Sequence, residues 1–371
     1  MNTVVIFSGY NQRAVIAFLR TLTENNIDNY YIVAANENDT ILRTAYKNKV
    51  FTIRKNKALE KKELLEIVNS ILIKSGAEHA LIAPSTEALN RFLLENREEL
   101  TSKGWIIPLV SSDVYQLISD KESFWKYCKN QSLLVPRLVD LSSAFLTPYV
   151  AKPLCYQSSE GQIYTPILVH NEQEHKYFLE HYNQSDLSFQ EYITGNSYYL
   201  LYYFSVCGEV YQFSQENLAQ QFGGKSIIAA RRSTLHLTSI SDKYVESIRK
   251  LNYHGFLMIE LRERDGFFYM IEANPRFWGP SQFYHDCGIE FFELFLKDYD
   301  IIDSVSIDEK TNEIFYFWSG GCKGDILDGN KCVFYNDGFD FITKNIQTFK
   351  KWDIYHREDT VEIYNLEKKG F

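Results

Sequence analysis

The sequence contains no Cys-x-x-Cys pair, no His-Glu-x-x-His segment and no apolar run long enough to cross a bilayer. Each absence removes a class of function. Cys128, Cys155, Cys207, Cys287, Cys322 and Cys332 are too scattered for a zinc ribbon or a disulfide framework and read as reduced core thiols. A spanning helix needs about 20 consecutive apolar residues, so a membrane is not an expected partner. Basic residues are also outnumbered, 39 Lys and Arg against 48 Asp and Glu. The net charge is −9, whereas neutralising a phosphate backbone takes a clustered excess of Lys and Arg, so nucleic acid is not an expected partner either. The tightest grouping of metal-ligating residue types, His285-Asp286-Cys287, reads more readily as a helix start than as a metal site. Residues 1–7 lack the basic and long apolar regions of a secretory signal and read as a first β-strand, so a cytoplasmic location is expected.

What is present is a chain of 371 residues, 45% hydrophobic and 23% charged, long enough for two or three subdomains with substantial cores. Apolar runs at 4–7, 30–34, 49–53 and 80–83 read as strands and alternate with helical spacing at 14–22, 61–73 and 86–94. That alternation is the signature of a parallel α/β sheet, so roughly the first hundred residues are expected to be Rossmann-like. A dinucleotide site at the first turn needs Gly-x-Gly-x-x-Gly, and residues 8–11 offer only Gly9, which disfavours a nicotinamide cofactor. From about Asp113 the style changes to a helix at 121–130, short strands and loops, and then a strand-rich region over 189–274. Aromatic strand-like runs such as 313–318 read as a small appended β element in the tail.

The most informative segment runs from Gly255 to Gly279, with strand-like stretches on either side of Asp265-Gly266. Leu257, Ile259 and Leu261 are apolar at odd positions, whereas Glu260, Glu272 and Asn274 sit at even ones, so one face packs and the other carries oxygens. A two-residue turn at Asp265-Gly266 would pair Glu260 with Ile271 and send the two carboxylates to opposite faces. A three-residue loop, Arg264-Asp265-Gly266, is therefore expected, with Glu260 opposite Met270 and Glu272 as its diagonal neighbour on the same face. An isolated Glu on a strand is more often a solvated edge. Two carboxylates and an amide oxygen that converge, however, repel one another unless a cation neutralises them, and hard oxygen donors select Mg²⁺ or Mn²⁺. Arg276 adds a planar donor fork suited to a phosphate or carboxylate.

A Glu on one strand followed by Glu-x-Asn-Pro-Arg ending the next resembles the metal-binding hairpin of ATP-grasp enzymes, most nearly the carbamoyl-phosphate-synthase-like and biotin-carboxylase-like carboxylate-amine ligases. Three further segments fall in the order that family requires, extending the resemblance over roughly residues 1–300. Asp120-Lys121 resembles the segment whose Lys reaches the nucleotide phosphates. Tyr149-Val150-Ala151-Lys152-Pro153 resembles the strand whose Lys contacts the α- and β-phosphates, and a Lys among apolar neighbours needs an anionic partner in any case. Phe189-Gln190-Glu191-Tyr192-Ile193-Thr194-Gly195 resembles the hinge strand whose backbone, near Glu191 and Ile193, reads the adenine edge.

The resemblance implies a fold of α/β and α+β character: a Rossmann-like pre-ATP-grasp domain at 1–112, a lid subdomain at 113–186, a second subdomain with the metal hairpin at 187–300, and an appended element at 301–371. It implies ATP and Mg²⁺ as cofactors, with Glu260, Glu272 and Asn274 holding the metal. Nucleotide contacts fall to Lys121, Lys152, Gln190, Glu191, Ile193, Glu260 and Glu272, and the catalytic roles to Arg276 and Lys152. The implied reaction activates a small-molecule carboxylate as an acyl phosphate and joins it to an amine. Oligomeric state is left open.

The sequence departs from the family in the loop 154–161, which has a single glycine where that lid is usually glycine-rich, and at Asn196-Ser197, where relatives often place an acid against the ribose. Lys225, Arg231 and Arg232 are candidate substrate-side cations. Ala219 to Ser226 satisfies the loosest form of a P-loop, but residues 227–230 read as a strand where a P-loop opens a helix. Two other functions use the same machinery: a phosphotransferase, and an ATP-binding regulatory protein with reduced catalysis. Product analysis separates the first and turnover the second.

Overall fold

The computed structural model describes residues 2–141, 145–154, 166–310, 313–322, 326 and 332–369. The first apolar runs form β1 (Asn2–Phe7), β2 (Tyr30–Ala34), β3 (Val50–Ile53), β4 (His79–Ile82) and β5 (Trp105–Ile106), all parallel, in the order β3-β2-β1-β4-β5. Val4 and Ile6 enter one core and Val5 the other, because helices such as Gln12–Glu24 and Lys61–Ser75 cover the sheet and its strands are buried on both faces. This is the expected Rossmann-like unit. Strand order reverses between β1 and β4, so the loops leaving their C-terminal ends open a crevice there. Asn11 Nδ2 spans it, donating to the carbonyls of Ser85 and Phe277 at 2.9 Å each.

The remaining strands are antiparallel. β6 (Tyr149–Pro153), β7 (Ile167–Val169) and β8 (Leu187–Glu191) make a small sheet in the order β7-β6-β8. β9 (Asn196–Phe204), β10 (Val210–Gln221), β11 (Ile227–Arg232), β12 (Gly255–Arg264), β13 (Phe267–Asn274) and β14 (Phe315–Phe317) form a sheet ordered β13-β12-β9-β10-β11-β14, with β15 (Cys332–Phe334) paired to β10. Leu257, Ile259 and Leu261 share a core with Phe124 of the helix Lys121–Asn130 and Ile248 of the helix Ser239–Arg249. The alternate face of β12 bears the buried polar residues Glu260 and Arg262, as a period of two requires. The tail joins this sheet through β14 and β15 and continues into helices that include Val361–Lys369.

Ion pairs fasten the Rossmann-like unit to the rest. Arg20 Nε meets Asp359 at 2.8 Å, and His285 lies between Glu24 at 2.8 Å and Glu290 at 2.9 Å. Burial disfavours the His285 imidazolium, but the two carboxylates outweigh it and lift its pKa to about 10. His285 and Asp286 end the helix Ser281–Asp286, and Asp286 is paired with Arg357. Among the described residues no helix is long and apolar enough to cross a membrane.

Candidate active site

β12 and β13 are joined by the two-residue turn Asp265-Gly266, whose φ values of 55° and 80° suit an Asp-Gly pair and match the twist of the strands it connects. The expected three-residue loop does not form. Pairing runs regularly from Arg264↔Phe267 to Leu261↔Met270 and then slips by one residue, leaving Ile271 unpaired and setting Glu260 directly opposite Glu272. The pairing of Glu260 with Met270 is thereby corrected. A β-bulge re-aims the later side chains, so both carboxylates reach one face although the turn is short.

Around this pair the charges are dense. Lys121 Nζ lies 3.4 Å from Glu272, and Asn274 Nδ2 donates to the same carboxylate at 3.0 Å. Arg276 in turn donates to Asn274 Oδ1 at 3.0 Å, so the Asn274 oxygen is shared with a guanidinium. Lys152 is 5% exposed and donates to the Ile271 carbonyl at 2.9 Å. Burial lowers its pKa to about 8, Lys121 adds to the shift, and Glu272 and Glu260 offset it only in part. Burial also pushes the Glu260 carboxyl up, and Glu272 reinforces this against the pull of Arg262. Glu272 goes the other way: burial is outweighed by Lys121, Asn274, Lys152 and Arg276, which hold it below the usual carboxylate range.

The segment 189–195, expected to act as a hinge, borders the same cleft. Gln190 and Ile193 line it with Lys121, Lys152, Glu260 and Glu272. The Glu191 carboxylate is engaged by Arg137 and Arg264, each at 2.8 Å, so its side chain is not open to a ligand. The N–H groups of Glu191 and Tyr192 bond the carbonyls of Arg137 and Pro148, so a nucleotide edge would have to be read by Ile193 and by carbonyls of this strand. Gly195 follows at φ +123°, where a Cβ would strike the Glu263 carbonyl, so only glycine lets this segment pass so close to β12.

Two residues missed in the sequence complete the cleft. Arg262 Nη2 reaches Glu260 at 3.3 Å, Gln220 at 3.0 Å and the Tyr335 hydroxyl at 2.8 Å. Arg262 shares the oxygen-bearing face of β12 with Glu260, a signal that alternation offered; Tyr335 arrives from the tail without one.

Glu272, Asn274 and Arg276 also border a second groove of about 940 Å³, walled by residues 9–13 of the Rossmann-like unit. Lys225 lines it as well. Arg231 is paired with Glu216 and Asp337, and Arg232 with Glu309, so neither is an open substrate-side cation. Residues 219–226 connect β10 to β11 within a hairpin, so the P-loop pattern forms no P-loop. At the position expected beside a ribose, Asn196 Nδ2 donates to Glu263 at 2.9 Å. The glycine-poor loop lies outside the described residues after Leu154.

No family model and no curated protein matches this sequence. Solved structures do match the fold. The biotin carboxylase of Campylobacter jejuni, determined as a β-γ-ATP complex, aligns with a TM-score of 0.59 at 14% identity over 82% of this chain and 72% of that one. The biotin carboxylase domain of Hydrogenobacter thermophilus 2-oxoglutarate carboxylase, determined with MgADP and bicarbonate, aligns at 0.58 and 15% identity over 84% and 72%. N5-carboxyaminoimidazole ribonucleotide synthetase from Thermus thermophilus aligns at 0.58 and 12% identity over 83% and 80%. A Rossmann-like unit, a small three-stranded sheet and a carboxylate-bearing hairpin in a larger antiparallel sheet, superposing on these enzymes over most of their length, give this chain the ATP-grasp fold.

Proposed function

We propose that the chain is a Mg·ATP-dependent ligase that activates a carboxylate as an acyl phosphate and joins it to an amine, releasing ADP and phosphate. The observation that carries this reading is the direct opposition of Glu260 and Glu272 in a cleft that also holds Lys121 and Lys152. Similarity to carboxylases determined with an ATP analogue and with MgADP supports it.

The residues fit the groups the reading requires. Two opposed carboxylates suit Mg²⁺, which is bound through one or two carboxylates and keeps waters and phosphate oxygens in its shell. Mn²⁺ takes similar oxygen donors. Gln190 Oε1 is buried without a hydrogen-bond partner among the described residues, and an adenine amino group would supply one. When bound, Mg·ATP would supply the phosphoryl group and the cation that screens it.

This chain's own groups would position and neutralise. Lys152, buried and fixed by the Ile271 carbonyl, would gain from an anion what burial costs its ammonium. Lys121 would share that work from the start of its helix. Arg276, steadied by Asn274 and by the Phe277 carbonyl at 2.9 Å, would orient the substrate carboxylate where the cleft meets the groove. The amine would enter through the groove.

The test is ADP release over pooled carboxylates and amines with Mg²⁺ or Mn²⁺, followed by mass analysis of products. Glu272→Gln is expected to keep its melting temperature and lose turnover on the order of 100-fold. Undiminished turnover in that variant would remove Glu272 from the site. A phosphorylated acceptor without an amide would show a phosphotransferase, and nucleotide binding without turnover a regulatory protein.

A further inference from the structure

We infer that the groove beside Arg276 is built to take an anionic group through Gln12, Arg13 and Trp278, so that the acceptor amine also carries a carboxylate or a phosphate. That the anion belongs to the acceptor amine rests on the ligase reading; the anion subsite does not.

Gln12, Arg13 and Trp278, from two parts of the fold, line this groove, the first and last each with a donor that has no partner among the described residues. Gln12 Nε2 and Trp278 Nε1 are both buried with no partner among the described residues, and Trp278 is only 2% exposed. Buried donors are almost always paired, so two orphans in one groove point to an acceptor that arrives with a ligand. Arg13 is held rigidly but by neutral groups only. Its Nη1 donates to the Ile227 carbonyl at 3.2 Å and the Tyr316 hydroxyl at 2.6 Å, and its Nη2 to Ser226 Oγ at 2.8 Å. The guanidinium stacks 3.9 Å from the Trp318 ring. These hydrogen bonds use three of its five N–H donors, so the guanidinium is pre-organised with Nε and one Nη2 hydrogen left for a ligand.

The carboxylates nearby leave that charge uncancelled. Glu87 is engaged by Arg91 at 3.0 Å and Glu272 by Lys121. Glu367 accepts from Trp318 Nε1 with both oxygens, and burial pushes its pKa up to about 7, which makes it a weak counter-ion for Arg13. Arg13 and Lys225 are therefore not balanced within the groove. Topology agrees independently. Residues 9–13 and 86–88, which line the groove, follow β1 and β4, where strand order reverses and open α/β sheets bind their ligands.

Saturation-transfer NMR on the full chain tests this with four probe pools: the standard α-amino acids, the same amino acids as amides, O-phosphoethanolamine, and ethanolamine. Binding of amino acids but not their amides identifies a carboxylate; binding of O-phosphoethanolamine but not ethanolamine identifies a phosphate. Arg13→Gln is expected to weaken that binding by at least about tenfold, since a site built for a polar group loses heavily when the pairing is removed. Arg13 also ties its helix to β11 and β14, so Arg13→Lys, which keeps the charge but not the fork, serves as the second variant, with an intermediate loss expected. The inference is overturned if neither anionic pool binds, if the neutral analogues bind equally well, or if both variants bind as the parent does. Anion binding that depends on Arg13, with no ADP release for any substrate pair, would sink the ligase reading alone. Ligation of neutral amines only, without anion binding, would sink this inference alone.

Discussion

Glu260 and Glu272 face each other across the β12–β13 ladder because Ile271, between them and the turn, pairs with nothing. Eleven residues separate the two glutamates, and a two-residue turn leaves an odd number to be absorbed. The bulge absorbs it. The same residue serves a second purpose, since its carbonyl accepts from Lys152 at 2.9 Å.

These two roles can be separated by deleting Ile271. The ladder would then close regularly with Glu260 still opposite Glu272, because the register beyond the bulge is unchanged. The carbonyl that fixes Lys152 is lost, together with the Ile271 side chain that lines the cleft. Mn²⁺ binding, followed by electron paramagnetic resonance, is expected to survive the deletion, whereas ATP affinity measured by calorimetry should fall on the order of tenfold, the worth of a charged hydrogen bond. Unchanged ATP affinity would show that the Ile271 carbonyl does not position Lys152.

The depressed pKa of Lys152 makes nucleotide affinity depend on pH with a definite sign. In the free protein the ammonium is lost as pH rises through about 8, well below the range of an exposed lysine. Polyphosphate favours the charged form, so binding above pH 8 must draw in a proton, and affinity should decline by up to about tenfold per pH unit there. Lys152→Arg, always charged, is expected to flatten the slope. Calorimetry at pH 9 in two buffers of different ionisation heat measures the proton directly; no uptake, or an equal slope in the arginine variant, would dissociate Lys152 from the phosphates.

What the sequence disclosed follows from the range of the forces involved. The strand Tyr30–Ala34 and the helix Lys121–Asn130 were legible to the residue because local spacing of apolar side chains decides them. The oxygen-bearing face of the hairpin was legible for the same reason. The bulge was not: isoleucine suits a paired strand position as well as an unpaired one, and the register that isolates Ile271 depends on what the turn and the sheet tolerate together. Gln12, Arg13 and Trp278 had no spacing to mark them, since β1, β11 and β13 meet at the groove only after the sheets have packed.

Tyr335 was beyond reach for that reason, and it offers a test of how the tail bears on the cleft. Its hydroxyl accepts from Arg262 at 2.8 Å and donates to Gln220, while Arg262 also reaches Glu260 at 3.3 Å. Burial lifts its pKa to about 12, so it stays a neutral donor at any working pH. Tyr335→Phe leaves Arg262 and Gln220 each short of a partner, at a cost of about 1–3 kcal/mol in stability. Arg262, having lost one acceptor, would bind Glu260 more strongly and compete with a cation for it. The Mg²⁺ concentration for half-maximal ADP release should therefore rise several-fold while the KM for the amine stays put. A change in amine KM with no change in Mg²⁺ dependence would place Tyr335 on the acceptor side and free Glu260 from the tail's influence.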